Sequence, residues 1–211
     1  DPKSIFTTHG LVNGTAMCID TFSNPGDGIV LFTPVYHSFF KILKSNNRQI
    51  VQCPLILEKG RYTMDFNKYN SMMTGNEKMI ILCSPHNPGG RVWKKNELQE
   101  VINFAKRHNM ILVSDEIHND LVYPNNKHIT MPLVDANISD SLVMLTATTK
   151  TFNIAGAHTG NVIISDSKLR SIFKKRMSAL GLSPNSFGMF MSEAAYSPEG
   201  AEWVDKLMHY L

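Results

Sequence analysis

The chain is 211 residues long, with 43% hydrophobic and 18% charged residues. That composition excludes disordered, collagenous and low-complexity chains, and the length suffices for a sizeable core. Its 21 Lys and Arg stand among 18 Asp and Glu, a net charge of +3, which describes a mixed solvated surface and not a nucleic-acid patch.

Residues 11–22 read as a helix, closed by the turn Asn24-Pro25-Gly26-Asp27-Gly28. Residues 29–32 form a short continuous apolar strand, 49–53 a second β candidate and 66–73 a helix. Met79-Ile80-Ile81-Leu82-Cys83 is the clearest buried strand. Over 96–108, Leu98, Val101, Ile102 and Ala105 recur with helical period, with Asn96 as N-cap. Residues 110–113 are the next strand, ending at Ser114-Asp115, and 142–145 and 161–164 are two more. Helices are expected over 169–179 and at the C-terminal end. Lys168, Arg170, Lys174, Lys175 and Arg176 interleave with Leu169, Ile172 and Phe173 and read as the wet face of the first of these. Residues 180–191 are apolar, loop-like and then helical, and fit either the core or an interface.

Cys18, Cys53 and Cys83 lie in apolar stretches with no CxxC and no Cys/His metal spacing. They are expected as buried thiols of a reducing, cytoplasmic compartment, with no metal site. No segment approaches the roughly 20 apolar residues that span a bilayer, so no membrane partner is expected. The opening DPKSIFTT has neither Met nor a signal-peptide pattern and predicts a fragment of a longer chain.

Continuous apolar strands alternating with helices predict an α/β fold, a mainly parallel sheet covered on both faces. Ligands of such sheets sit beyond the carboxyl ends of the strands. The residues there are Tyr36, then Asn87, then Asp115 and His118, then Lys150. Taken singly, each has a plain structural reading: Asp115 as a helix N-cap, Asn87 as a turn residue, Tyr36 as core, His118 as a structural histidine, Lys150 as a surface charge. Their convergence favours chemistry. A lysine can hold an aldehyde cofactor as a Schiff base, and pyridoxal phosphate then acts as an electron sink. Asp115 would pair with its ring nitrogen, Asn87 would bond its phenolic oxygen and Tyr36 would stack on its face. The turn Thr8-His9-Gly10-Leu11-Val12 opens a helix and offers N–H groups to a phosphate, with Thr148 or Thr149 adding hydroxyls.

Ser-Pro-His-Asn-Pro-Gly-Gly (84–90), Ser-Asp-Glu-Ile-His-Asn-Asp (114–120) and Thr-Lys-Thr-Phe-Asn-Ile-Ala-Gly (149–156) resemble the fold-type I pyridoxal-phosphate enzymes. Within the class I/II aminotransferase superfamily they resemble the MalY/PatB-type cystathionine β-lyases, and Phe-Thr-Pro-Val-Tyr (32–36) and 24–28 fit the same group. The resemblance implies a three-layer αβα sandwich, with residues 1–211 as the large cofactor-binding domain. The family's N-terminal segment and small C-terminal domain lie outside this sequence, so the fragment alone is expected to hold cofactor poorly and to lack activity. Lys150 would be the catalytic, cofactor-bearing lysine. Gly10, Leu11, Val12, Tyr36, Asn87, Asp115, His118 and Thr149 would bind the cofactor. His118 stands where many aminotransferases have a tyrosine. Many also carry an arginine eight residues after the lysine, where this chain has His158, a weaker phosphate partner. The implied activity is carbon–sulfur β-elimination of a small amino acid, giving pyruvate, ammonia and a thiol, in a homodimeric enzyme. An aminotransferase is the alternative, and an effector-binding module of a regulator a further one.

Overall fold

The computed structural model describes residues 1–211. In chain order the elements are β1 (Ile5–Thr8), α1 (Gly10–Phe22), β2 (Gly28–Thr33), α2 (His37–Ser45) and β3 (Gln49–Pro54). A hairpin of β4 (Ile56–Glu58) and β5 (Arg61–Thr63) leads to α3 (Phe66–Met72), β6 (Glu77–Cys83), α4 (Lys95–Arg107) and β7 (Ile111–Asp115). Then come β8 (Leu142–Thr146), β9 (Gly160–Ile163), α5 (Ser167–Ala179), α6 (Ser186–Ala195) and α7 (Pro198–Tyr210). None of the helices is long and apolar enough to cross a membrane.

Seven strands form one sheet in the order β1-β9-β8-β7-β6-β2-β3. The five from β8 to β3 are parallel, as the continuous apolar runs predict. The strand 161–164 departs from that pattern: β9 runs antiparallel to β8, and β1 antiparallel to β9. No α-helix separates β8 from β9, only the 3-10 turn Ala155–Ala157, so the chain turns back after Lys150 instead of crossing over. The double reversal makes β1 parallel to β8. It therefore delivers the start of α1 to the edge where the parallel strands end.

Side chains alternate across each strand and feed two cores. Ile29, Leu31, Met79, Ile81, Val113, Val143 and Leu145 pack with Leu11 and Ile19 of α1, Phe39 and Leu43 of α2, and Phe173 of α5. Val30, Phe32, Ile80, Leu82, Leu112 and Leu142 pack on the opposite face with Tyr69 of α3 and Leu98, Val101 and Ile102 of α4. The result is the expected three-layer αβα arrangement.

Several local expectations change. The N-cap of α4 is Lys94, not Asn96, because Glu97 reaches back to accept the Lys94 N–H at 2.7 Å. The basic residues of α5 do face solvent, and Arg176 pairs with Asp20 at 2.5 Å, yet Ile172 is exposed with them while Phe173 and Met177 are buried. The three cysteines are buried and unpaired. In the apolar 180–191 segment only Leu182 packs against the core, and most of the other apolar side chains are exposed. Phe187 and Phe190 of α6 are 77% and 71% exposed.

α6 docks on the segment after Lys150 through Gly188, where a Cβ would overlap the Thr159 hydroxyl oxygen. Asn185 caps the helix by accepting the Gly188 N–H at 3.1 Å, and its amide donates to Ala157 O. Gly188→Ala is expected to destabilise the fold by about 1–3 kcal/mol through overpacking. Urea unfolding checks this, with a lowered midpoint at constant m-value expected. An unchanged midpoint would mean that α6 is free to shift.

Candidate active site

Parallel register sets Cys83 beside Asp115 at the ends of β6 and β7, and Asp115 beside Leu145 in β8. Ser84 N–H donates to Asp115 O at 2.9 Å and Glu116 N–H to Leu145 O at 2.9 Å, so the three strand ends are sewn together one residue further on. A cavity of about 340 Å³ opens there. All ten residues expected from the sequence line it: Gly10, Leu11, Val12, Tyr36, Asn87, Asp115, His118, Thr149, Lys150 and His158. His9, Thr15, Phe39, Cys83, Ile117 and Ala155 complete the wall.

Each is held by its neighbours. Asn87 lies in the turn after β6, where Cys83 Sγ accepts the Asn87 N–H at 3.3 Å and donates to Pro85 O at 3.2 Å. His86 Nε2 donates to Pro34 O at 2.8 Å, since a carbonyl can only accept. That bond ties the Asn87 turn to the Tyr36 segment. The Tyr36 ring is half-buried and meets Phe39 edge-on at 5.7 Å. Lys150 is the exposed residue between buried Thr149 and Thr151. Its turn is closed by Phe152 N–H to Thr148 O and Ile154 N–H to Thr149 O, both 3.0 Å.

Gly10 opens α1 at φ +78°, a conformation that favours glycine. The N-cap His9 makes no side-chain capping bond, so the first N–H groups of α1 are left to face the cavity with the positive end of the helix dipole. His158, at φ +44°, packs its backbone against Gly10. Its side chain is exposed.

Asp115 is 6% exposed, and its Oδ1 accepts the Ile117 N–H at 3.1 Å. Burial pushes its carboxyl up to about 6, with the Ile117 bond and the Lys150 ammonium pulling the other way and Glu116 adding to the rise. Burial, then Lys150, holds His118 below its ordinary value and so favours its neutral ring. Asp115 is not a helix cap, because β7 runs into an irregular segment.

Sequence reasoning missed Glu116 as a brace. It is 2% exposed and accepts from Ser114 Oγ and Met131 N–H at 3.0 Å and from His128 Nε2 at 2.7 Å. No periodicity signals this, because His128 lies twelve positions on in a segment without regular structure. His37 is exposed, whereas His86 is buried and faces a second recess of about 550 Å³ that shares Asn87 and His118 with the cavity.

Residues 1–209 match the family model described as aminotransferase class I and II. The chain belongs to that family. Among curated relatives, "Cystathionine beta-lyase PatB" of Bacillus subtilis (strain 168) is 35% identical over the whole chain and 55% of its own length. "Protein MalY" of Escherichia coli (strain K12) is 32% identical over the whole chain and 54% of its length. Among solved structures, cystalysin from Treponema denticola, which contains pyridoxal 5'-phosphate, superposes with TM-score 0.94 at 37% identity, covering 99% of this chain and 53% of that one. The chain spans about half the length of the curated relatives it matches.

The raised Asp115 carboxyl has a consequence for stability. Between pH 3.8 and about 6 the folded chain keeps a proton that the unfolded chain has released. Stability therefore falls as pH rises through that window. Above it the buried anion costs roughly 2–3 kcal/mol, since each tenfold change in proton affinity is worth about 1.4 kcal/mol. Asp115→Asn is expected to stabilise the ligand-free chain by up to that amount well above the window and to be neutral well below it. Thermal unfolding on both sides of the window checks this. An equal effect at both would show that Asp115 is not buried as an anion.

Proposed function

We propose that this chain is the large cofactor-binding domain of a longer pyridoxal-phosphate enzyme that cleaves carbon–sulfur bonds by β-elimination. The observation that carries the reading is the convergence on one cavity of an amine, a buried carboxylate, an amide, an aromatic ring and an open helix N-terminus. These donors fit the group. The uncapped start of α1 suits a phosphate, the buried Asp115 suits a protonated ring nitrogen, and Lys150 suits an aldehyde. The name of the 35%-identical relative supports the lyase reading.

Pyridoxal phosphate, when bound, supplies an aldehyde for amine capture and a ring that delocalises the charge left when an α-proton departs. The Leu11 and Val12 N–H groups would hold its phosphate, with Gly10 allowing the close approach and Thr149 adding a hydroxyl. His158 lines the same cavity. Asp115 would keep a proton on the ring nitrogen, and that pairing would offset the cost of burying the carboxylate. Asn87 Nδ2 would donate to the phenolic oxygen, and His118 lines the same cavity. Tyr36 would cover the ring face. Lys150 Nζ would be the attachment point and, once freed by the substrate's amino group, would take the proton from the substrate Cα. With a sulfur substituent on Cβ, the Cβ–S bond would then break with its electron pair going to sulfur, which leaves as the thiolate. The remaining three-carbon enamine, once released, takes up one water and gives pyruvate and ammonia.

The substrate is a small amino acid carrying sulfur at Cβ. The enzyme works as a homodimer in the cytoplasm, a placement supported by three buried, unpaired thiols. An aminotransferase is the second reading, favoured by the family description itself.

The full-length protein mixed with pyridoxal phosphate is expected to give a near-visible absorbance band that Lys150→Ala abolishes. Turnover should fall by on the order of 10³-fold in that variant. Pyruvate and thiol released from cystathionine or cysteine conjugates would support the lyase. Amino transfer to a 2-oxo acid without pyruvate would establish the aminotransferase instead. A wild-type protein with no band would end both.

A further inference from the structure

We propose that Asp120 is a positioning residue that locks the Lys150 turn to the His118 segment through the Thr151 hydroxyl. The inference rests on the reading of Lys150 as the attachment lysine.

Residues 117–127 contain no helix or strand, yet they carry His118 over the cavity. Nearly all their hydrogen bonds are local. Ile117 N–H donates to Asp115 Oδ1, Asn119 N–H to Glu116 O, Leu121 N–H to His118 O, and Asn126 N–H to Tyr123 O. The brace at Glu116 and His128 fixes the base of the loop and leaves its middle untouched. One bond reaches from that middle to another segment: Thr151 Oγ1 donates to Asp120 Oδ2 at 2.9 Å.

Both ends of that bond adjoin the chemistry. Thr151 is 1% exposed and follows Lys150 directly, so its hydroxyl cannot turn to water instead. Asp120 is two residues past His118, and its second oxygen accepts from Asn119 Nδ2 at 2.9 Å. The two short turns from Glu116 to Leu121 make a stiff lever between His118 and Asp120. A shift of the Lys150 turn is therefore passed to His118, and a loose loop frees both. Misplacing a reacting group by an ångström is costly even when every catalytic side chain is present. The contact needs an acceptor oxygen at Asp120, not its charge, and this separates positioning from electrostatics.

In the full-length protein, Asp120→Ala and Thr151→Val are expected to raise amide exchange in both 117–127 and 150–154 without cofactor. They should slow Lys150-dependent capture of pyridoxal phosphate by on the order of tenfold. Asp120→Asn and Thr151→Ser, which keep the acceptor and the donor, should stay close to wild type. The double variant Asp120→Ala/Thr151→Val should be no slower than the slower single, since the Thr151–Asp120 bond is already lost in each. Asn as slow as Ala, additive losses, or a lowered unfolding midpoint with unchanged capture would each overturn the inference. A wild-type protein without the band would overturn the Lys150 reading and this inference with it.

Discussion

Cys83 pairs with Asp115, and Asp115 with Leu145, across three parallel strands. Parallel strands in register finish at the same edge, so whatever follows them is gathered there without any contact between the side chains themselves. Asn87, Asp115 and Lys150 lie far apart in sequence and meet for this reason alone. The antiparallel pair β9 and β1 extends the same logic. By reversing twice, it brings the N-terminus of α1 to that edge and completes the set. A one-residue slip of β7 would turn Asp115 to the other face of the sheet and empty the site of its carboxylate.

Around that register the charges are arranged against the interest of the fold. Asp115 is buried where its charge is disfavoured, and its neighbour Glu116 is of like sign. The two are separated by role. Glu116 is turned away and saturated by Ser114, His128 and Met131 N–H, whereas Asp115 keeps one oxygen free of protein donors. An acid left partly unsatisfied in a closed place is a mark of function and not of stability. The rim is built the other way. Arg91 Nη2 donates to both carboxylate oxygens of Glu97, and the guanidinium stacks on Trp93 at 4.4 Å, giving the Asn87 turn a rigid outer support.

Most of this was legible where a single physical signal dominates. The apolar runs of β2, β6, β7 and β8 are buried on both faces, and that burial writes itself into the sequence as uninterrupted hydrophobicity. The residues at their ends follow from it. What stayed hidden has no such signature. β1 (Ile-Phe-Thr-Thr) and the short hairpin β4–β5 are brief and half-exposed. α2 is strongly amphipathic, but its nine residues are short for a periodic signal. The direction of β9 depends on the absence of a crossover helix, which a run of apolar residues does not encode. Glu116 with His128, and Asp120 with Thr151, are bonds between irregular segments. Their partners are fixed by the folded path of the chain and by nothing periodic.

The open start of α1 has one more consequence. Its N–H groups, with the dipole behind them, recognise a tetrahedral anion by charge and shape and know nothing of the ring attached to it. No side chain caps them, and His158 lines the same cavity. If they hold the cofactor's phosphate as proposed, inorganic phosphate would be its rival for the same donors, and discrimination would fall to Lys150 and Asp115. A buffer ion would then be a competitive ligand.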